Sequence, residues 1–574
     1  MKLVILKSGN DKVLYIQKTF RKNGKVSTRT IKTCERLSEL KKIYDDPIAH
    51  FKEEAIRLTE EDKRNAHKTT ISFAAREKLS SDDPIVKNIG YLFLRKIFRG
   101  LGLDKIVKKI SSEHKFEYDL ESVLEHLIYS RIITPGSKLS TYEDRKDYVE
   151  SGEFELHHIY RALSVLNEYF DYIQAEVYKN SHKLVKRNKH ILYFDCSNFY
   201  FEIEQEDEFR RYGVSKEHRP NPIVQMGLFM DGNGIPLAFD LNPGNTNEQI
   251  TLRPLETKVL KDFDLSKIIV CTDAGLGSYS NREFNDVKDR AFIVTQSIKK
   301  LPKHLKEWAL ATDMNKLPKG MTYLNGNESD GSLVMYKSRY CLEDELVETP
   351  IGKVKKTKSW RLIVTYSASY AKYQRRLRAN QVKRAKELIA NPTAFNKVSS
   401  TDCKRFVKNI AYDSNGEIIA KNKLVFDEAL EIEESTYDGY YALSTNLEGD
   451  AKEIVALSHR RWKIEESFRI MKTDLKSRPV FVSLKEHIFA HFLTCFLALL
   501  IVRIIDNKLK EKYTTLEILE ALRKCRVVKG EDGYLNISQG NDCLEDLCEI
   551  FNIEAMWGGY SAQEMREIIN QSKV

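Results

Sequence analysis

Two aspartates in this sequence stand where a carboxylate needs a partner. Asp195 lies inside the apolar run HILYFDCSNFYFEI, and Asp273 follows the run KIIVC after one threonine. A carboxylate among such side chains loses hydration free energy unless a charge or a hydrogen-bond donor compensates it. Either aspartate alone is more typical of a strand-end cap or a turn. Their joint placement favours a divalent metal ion bound to both.

A third carboxylate candidate, Glu465, lies in SHRRWKIEESFRIMKTDL at residues 458–475. Four residues at helical spacing predict an apolar face: Ile464, Phe468, Met471 and Leu475. Arg461, Glu465 and Lys472 form a second stripe, offset by about 100° from the first. Glu465 is therefore expected at the border of the buried face. An ordinary amphipathic helix with an Arg461–Glu465 pair at i,i+4 explains the spacing equally well.

The neighbouring Glu466 is turned about 100° away from Glu465 on a helix, and we interpret it as structural. No GxxxxGK[ST] motif occurs, so nucleotide hydrolysis is not indicated. His487 and His491 are four residues apart but lack the glutamate of a zinc-binding HExxH motif.

The elements around the aspartates predict a mixed sheet. Strand patterns cover His190–Ile203, Ile223–Met230 and Ile235–Leu241, with a hairpin turn at residues 231–234. A helix follows, and then a fourth strand at Lys267–Cys271. Three antiparallel strands, a helix and a parallel strand are the order of a ribonuclease-H-like α/β fold, which we favour over a doubly wound sheet. In that order the strands of Asp195 and Asp273 are neighbours.

Several ordered blocks of the sequence carry a family resemblance. They are YFDCSNFYFE, GVSKEHRPNPIVQMGLFMDGNGIPLAFDLNPGNTNE, IIVCTDAGLGS and DGYYALSTN. With Arg461, Glu465 and Lys472 they resemble insertion-sequence DDE transposases that carry a Tyr-x2-Arg-x3-Glu-x6-Lys signature, the IS-four superfamily, and most of all its 1634-type branch. Ser458 stands where the signature has Tyr. The similarity covers roughly residues 188–300 and 360–510.

The resemblance implies a site and an activity. Asp195, Asp273 and Glu465 would form the catalytic, metal-binding triad, and Arg461 and Lys472 would hold DNA phosphate. The cofactor would be Mg²⁺, with Mn²⁺ as the alternative. The enzyme would cleave transposon ends and join the freed 3′-hydroxyls to target DNA by two-metal phosphodiester transfer. The expected partners are double-stranded end and target DNA and a second copy of the chain on DNA, with no nucleotide cofactor and no membrane.

The resemblance also implies a β-rich insertion between the fourth strand and the catalytic helix. Asp195 and Asp273 are 78 positions apart, whereas Asp273 and Glu465 are 192 apart, which leaves room for it. The predicted regions are a basic N-terminal hairpin and helix (1–84), a helical domain (85–187), the core in two parts (188–300 and 437–510), the insertion (301–436) and a helical C-terminal region (511–574).

The charge distribution points to a polyanion. Lys and Arg total 93 against 83 Asp and Glu, a net charge of +10. The predicted hairpin at residues 13–33 contains no acid, and it is either a solvated edge or a DNA contact. A helix predicted at Ala371–Leu388 contains seven basic residues and one acidic residue, Glu387. Its DNA-binding candidates are Arg375, Arg376, Arg378, Lys383 and Arg384, and a solvated helix face is the alternative.

The cysteines and the longest apolar run indicate where in the cell the protein is found. Nine cysteines without a CxxC pair favour reduced thiols in a cytosol over disulfides or a zinc finger. The apolar run Ile488–Ile505 is interrupted by His491 and Arg503 and predicts a buried helix. We expect a cytoplasmic, DNA-associated protein. A transposon-derived DNA-binding protein that no longer cuts, and a nuclease without strand transfer, remain as alternatives.

Overall fold

The computed structural model describes residues 1–8, 11–22, 25–65, 83–263, 265, 267–313, 318–327, 331–349, 352–391, 401–412, 418–556 and 558–573. The chain forms two compact units. The smaller consists of Met1–Glu77, Lys529–Leu535 and Gly558–Met565, and the larger of Lys78–Val528, Asn536–Trp557 and Arg566–Val574. The domain boundaries expected from the sequence remain predictions.

The N-terminal part of the smaller unit is an antiparallel sheet with helices packed on one face. Its elements are β1 (Lys2–Ser8), β2 (Asp11–Lys22), β3 (Lys25–Arg36), α1 (Leu37–Leu40) and α2 (Pro47–Asn65). Leu14 and Ile16 alternate inward along β2 and pack against Leu40 and Phe51. The predicted hairpin is therefore present as β2 and β3, while its turn residues Asn23 and Gly24 lie outside the described residues. The sequence analysis missed β1.

The N-terminal part of the larger unit is mainly helical, as the sequence predicts. A short strand precedes six helices: β4 (Val86–Asn88), α3 (Tyr91–Gly100), α4 (Leu103–Glu113), α5 (Leu120–Ile133), α6 (Lys138–Asp144), α7 (Leu156–Glu168) and α8 (Phe170–Ser181). The Asp119 side chain caps α5 and the Ser137 side chain caps α6, each accepting a backbone N–H of the first turn.

A nine-stranded mixed sheet holds the two aspartates. Its first part comprises β5 (Ile191–Tyr200), β6 (Ile223–Asp231), β7 (Pro236–Pro243), α9 (Glu248–Asp262), β8 (Ile268–Thr272), α10 (Tyr279–Phe284) and β9 (Arg290–Gln296). β5, β6 and β7 pair antiparallel, and β8 pairs parallel to β5. This is the strand order predicted from the sequence, and it is consistent with a ribonuclease-H-like fold. β9, parallel to β8, was not predicted.

Residues 301–436 extend this sheet. They contain α11 (Lys303–Leu310), β10 (Thr322–Asn325), β11 (Val334–Thr349), β12 (Gly352–Ser367), α12 (Ala368–Ala390), α13 (Thr401–Lys404), β13 (Val407–Tyr412), β14 (Ile418–Phe426) and α14 (Glu428–Ser435), and β15 (Tyr440–Thr445) follows. The sheet order is β10-β11-β12-β15-β9-β8-β5-β6-β7. The strands of the expected insertion thus add to the edge of the central sheet, except for the separate β13–β14 pair.

The candidate catalytic segment is not one continuous α-helix, contrary to expectation. α15 (Ala451–His459) ends before Arg461, α16 (Trp462–Arg469) begins after it, and Ile470–Asp474 is a π-helical turn. The Leu475 N–H donates to the Ile470 carbonyl at 2.9 Å, five residues back. Such turns re-aim the side chains that follow them.

The C-terminal part begins with the apolar helix α17 (Lys485–Lys508). By length and composition α17 is able to cross a membrane, but 94% of its most apolar window is buried within the protein. Phe492 meets Phe199 edge to face and Phe496 packs at a tilt against Phe239, so α17 packs as a core helix, as predicted. After it come α18 (Thr515–Lys524), β16 (Arg526–Lys529), β17 (Gly533–Asn536), α19 (Asp542–Phe551), β18 (Gly559–Ser561) and α20 (Ala562–Ser572).

A buried ion pair anchors the β6–β7 turn. Arg187 and Asp231 are both fully buried, and the Arg187 guanidinium donates to Asp231 and to the Pro236 carbonyl at 2.9 Å.

Arg187→Ala leaves the Asp231 carboxylate buried without its partner, so we expect a loss of about 3–5 kcal/mol of stability. The measurement is the thermal unfolding midpoint. The exposed pair Arg211–Glu206 supplies the control, since Arg211→Ala should cost less than about 1 kcal/mol. Equal losses of stability in Arg187→Ala and Arg211→Ala would contradict the structural role of the buried pair.

Candidate active site

Asp195 occupies the interior of β5 and is 9% exposed. Its Oδ1 accepts the Cys196 N–H at 2.8 Å. Burial raises the pKa of Asp195 to about 6, while the Lys216 ammonium opposes that rise and the negative charge of Asp273 adds to it. The carboxylate is therefore held where its charge is unfavourable, with a second carboxylate close by.

Asp273 follows the last residue of β8. Since Tyr193 on β5 is in register with Cys271 on β8, the parallel pairing brings Asp273 alongside Asp195. The Leu276 N–H donates to Asp273 Oδ1 at 3.1 Å and orients this carboxylate. A Cβ at Gly275 would lie 3.4 and 3.5 Å from the two Asp273 oxygens, so glycine leaves that side of the carboxylate open. The structure thus brings the two predicted aspartates together.

Glu465 lies on α16 and is not joined to the aspartates. Its side chain is 56% exposed, and its Oε1 lies 2.8 Å from Arg461 Nη2. Within the described residues no group of three His, Cys, Asp or Glu side chains is arranged to hold a metal ion. The positive charge of Arg461 nevertheless interacts with Asp195 and lowers the pKa of that carboxyl. The triad therefore remains a prediction for Glu465.

The donor set fits a hard divalent cation. Two carboxylates with an open side at Gly275 provide the oxygen ligands that Mg²⁺ and Mn²⁺ prefer. A cation between them would also offset the burial and the repulsion from Asp273 that raise the pKa of Asp195. Asp195 and Asp273 could hold such an ion, and Glu465 could join them by leaving Arg461.

Lys472 is close enough to Asp195 for the two charges to interact, while its signature role in holding DNA phosphate remains a prediction. Burial and the nearby charge of Lys216 together lower the pKa of Lys472 to about 8, against the opposing effect of Asp195. The Lys472 ammonium donates to Glu217 Oε1 at 3.1 Å and lies 5.3 Å from the centre of the Phe199 ring. It is therefore a partly desolvated cation at the edge of the site.

Three charged residues of this site were missed by the sequence analysis: Lys216, Glu217 and Arg478. Lys216 donates to the Cys196 carbonyl and lies 3.1 Å from Glu248. Glu217 accepts a hydrogen bond from Lys472 and forms an ion pair with Arg478. Lys216 and Glu217 belong to the block GVSKEHRP, which served only as a point of resemblance. The loop position gave no periodic signal that could have assigned them a role.

The basic helix α12 presents most of its charge to solvent. Arg375, Arg376, Lys383 and Arg384 are exposed. Arg378 differs, since it forms a bidentate pair with the buried Asp438 at 2.5 and 2.6 Å. Its guanidinium is committed to that structural contact. Arg384 also contacts Asp402.

Comparison with known proteins identifies a family. The family model described as "Transposase DDE domain" matches residues 189–501, more than half of the chain. One solved structure, a cryo-EM structure of a piggyBac transposase synaptic complex with hairpin DNA, aligns over 76% of this chain and 79% of that chain. Its TM-score is 0.35 and its identity 9%, so this alignment supports no argument. A search of curated proteins finds no match.

The raised pKa of Asp195 has a measurable effect on stability. Because the folded-state pKa of about 6 exceeds the ordinary value of 3.8, the stability from the protonated carboxyl is present below pH 4 and is lost as the pH rises through 6. In metal-free buffer, Asp195→Asn should therefore unfold at a higher temperature than wild type at pH 7.5. The advantage should be on the order of 2–3 kcal/mol and should vanish near pH 4.

Thermal unfolding in the presence of a chelator, followed from pH 4 to 8, is the measurement. The exposed Asp262→Asn controls for the loss of one negative charge and should show no such trend. A lower midpoint for Asp195→Asn than for wild type at pH 7.5 would contradict the expected sign.

Proposed function

Because the chain belongs to the DDE-domain transposase family, we propose that it cleaves DNA at transposon ends and joins the freed 3′-hydroxyls to target DNA. The observation that carries this proposal is the pairing of β5 with β8, which places Asp195 and Asp273 side by side. Both aspartates lie within the residues that match the family.

Asp195, Asp273 and Glu465 would hold divalent metal, Mg²⁺ or in its place Mn²⁺. A bound pair of such ions supplies activation of the attacking hydroxyl and stabilisation of the leaving oxygen. The chain's own residues fix where the DNA strand lies. Arg461 and Lys472 are cations next to Asp195, and each binds phosphate charge. With a pKa of about 8, Lys472 stays mainly protonated at pH 7 and acts as a phosphate ligand.

Glu465 can exchange its partner at low cost. Its pair with Arg461 is an i,i+4 contact with the carboxylate more than half exposed, and such pairs contribute only about 0.3–0.5 kcal/mol. Turning Glu465 towards the aspartates therefore costs little and releases Arg461 for DNA phosphate. We assign Arg461, Glu465 and Lys472 to the Tyr-Arg-Glu-Lys signature of the IS-four superfamily, with the buried Ser458 at the Tyr position.

The partners follow from the chemistry. Two transposon ends are joined in one reaction, so we expect two copies of the chain on paired double-stranded ends, in the cytosol. The sheet β1–β3 is a candidate for further DNA contact, because residues 1–36 contain ten basic and two acidic residues. The exposed cations of α12 are a second candidate.

A second candidate function is a transposon-derived DNA-binding protein that no longer cuts. The contact of Glu465 with Arg461, away from the two aspartates, is the observation that favours it. DNA cleavage and strand joining separate the two functions.

Removing any one of the three carboxylates should abolish the chemistry. We expect Asp195→Ala, Asp273→Ala and Glu465→Gln each to lower Mg²⁺-dependent cleavage and joining of the element's own ends by about 10²–10³-fold or more. The measurement is product formation with and without Mg²⁺. Cutting without joining would indicate a nuclease, and end binding without cutting in the wild type would favour the second candidate function.

Glu466→Gln is the matched control, because Glu466 is adjacent to Glu465 but pairs with the buried Arg503 at 2.8 Å. It should keep cleavage and joining and should lower stability by about 1–3 kcal/mol. Loss of activity in Glu466→Gln at a temperature where it is folded would count against the assignment of Glu465.

The basic helix gives a separate test of DNA binding. Replacing the exposed Lys372, Arg376 and Lys383 by Ala should weaken duplex binding and should reduce the slope of log K against log salt by up to about three. Fluorescence anisotropy over a NaCl series measures both. Arg378→Ala should instead lower the unfolding midpoint, since Arg378 pairs with buried Asp438. An unchanged salt slope in the triple variant would leave α12 a solvated helix face.

A further inference from the structure

We propose that Lys472, Arg478 and Arg219 form a binding site for a DNA backbone phosphate next to Asp195, and that the Glu217 carboxylate lies where this phosphate binds. The proposal rests on the proposed function and adds to it two phosphate ligands outside the signature and a carboxylate that competes with the DNA.

Glu217 contacts cations as a phosphate would. One carboxylate oxygen accepts a hydrogen bond from Lys472 Nζ at 3.1 Å, and the other forms an ion pair with the Arg478 guanidinium. Two oxygens shared between an ammonium and a guanidinium are also the pattern in which a phosphodiester is bound in proteins. The three side chains are 11–23% exposed, so the contact is partly desolvated but open to a ligand.

Aromatic rings hold the cations in place. Lys472 lies 5.3 Å from the centre of the Phe199 ring, and Arg478 and Arg219 lie 5.6 and 4.2 Å from that of Tyr200. Phe199 and Tyr200 are the last residues of β5, the strand that contains Asp195. A cation over an aromatic face gains attraction without losing its positive charge, so it remains able to bind an anion.

The loop that contains Glu217 is fastened to the same strand. Asn198 on β5 donates to the Val214 carbonyl at 2.9 Å and accepts the Lys216 N–H at 3.3 Å. The Ser215 side chain accepts the Glu217 and Arg219 N–H groups at 3.3 and 3.2 Å. Glu217 and Arg219 therefore sit at fixed positions relative to Asp195, while their side-chain ends reach solvent.

The charges around Glu217 do not balance. Two cations, Lys472 and Arg478, contact its carboxylate, while the adjacent Lys216 is already engaged by Glu248. Positive charges this close repel one another in a partly desolvated site. A DNA phosphate between Lys472 and Arg478 would balance their positive charges in place of Glu217. The Glu217 side chain, being 23% exposed, can turn towards solvent.

The test is the affinity of the full-length chain for a duplex from the element's own end, in chelator so that no cleavage occurs. Glu217→Gln removes the competing carboxylate, so we expect about fivefold tighter binding and a salt slope larger by up to about one. Arg478→Gln and Arg219→Gln should each weaken binding by at least about fivefold and reduce the salt slope by about one. Arg219 is exposed, so its variant tests the site without a risk to folding.

Controls come from the exposed pair Lys524–Glu520 on α18, with side chains 59% and 48% exposed. Lys524→Gln and Glu520→Gln change the net charge by the same amounts and should bind within about twofold of wild type, as expected for isolated surface charges. Unfolding midpoints are recorded for every variant.

Weaker binding together with a lower unfolding midpoint in Glu217→Gln would show that Glu217 is a structural link and would overturn the proposal. Affinities unchanged in all three variants would overturn it too, while leaving the proposed function intact if the wild type binds the duplex. A wild type that does not bind the duplex would overturn both.

Discussion

The parallel pairing of β5 with β8 is the constraint on which the rest of the site depends. It sets Asp195 and Asp273 side by side, and burial within β5 makes the negative charge of Asp195 costly. The positive charges of Lys216 and Arg461 lower the pKa of Asp195, and the Asp195 charge in turn raises the pKa of Lys472. The same arrangement suits a divalent cation, because a positive ion would offset the negative charge of the two carboxylates.

The position of Lys472 depends on residues distant in sequence. The turn that follows the π-helical segment is fixed by Arg131, which donates to the Leu475 and Lys476 carbonyls at 3.3 and 3.0 Å, and by Arg523, which donates to the Asp474 carbonyl at 3.1 Å. His491 Nε2 lies 3.1 Å from the Ser477 carbonyl. Helices from before and after the candidate catalytic segment thus hold the backbone from which Lys472 and Arg478 project.

The positive charges of the chain serve different purposes. Arg187 and Arg378 pair with buried carboxylates, which their loss would leave without a partner, and the buried Arg503 pairs with Glu466. Arg376 and Lys383 remain on the surface, and Lys472 and Arg478 are held between these extremes, partly buried beside a single carboxylate. Composition alone counts these residues equally, and only their burial and partners separate structural cations from those available to DNA.

The sequence by itself determined the order of the central strands, the two aspartates and the helical character of the signature segment. Alternating apolar residues and turn motifs are local properties, and they are visible in the chain as written.

The tertiary structure decided what such patterns do not encode. The π-helical turn at Ile470–Asp474 breaks the α-helical period that predicted a continuous stripe from Arg461 to Lys472. The strands of residues 301–436 joined the central sheet, because edge strands pair through backbone groups that are the same in every sequence. Glu217 and Arg478 became part of the site only through contacts between segments more than 200 residues apart, which no local pattern records.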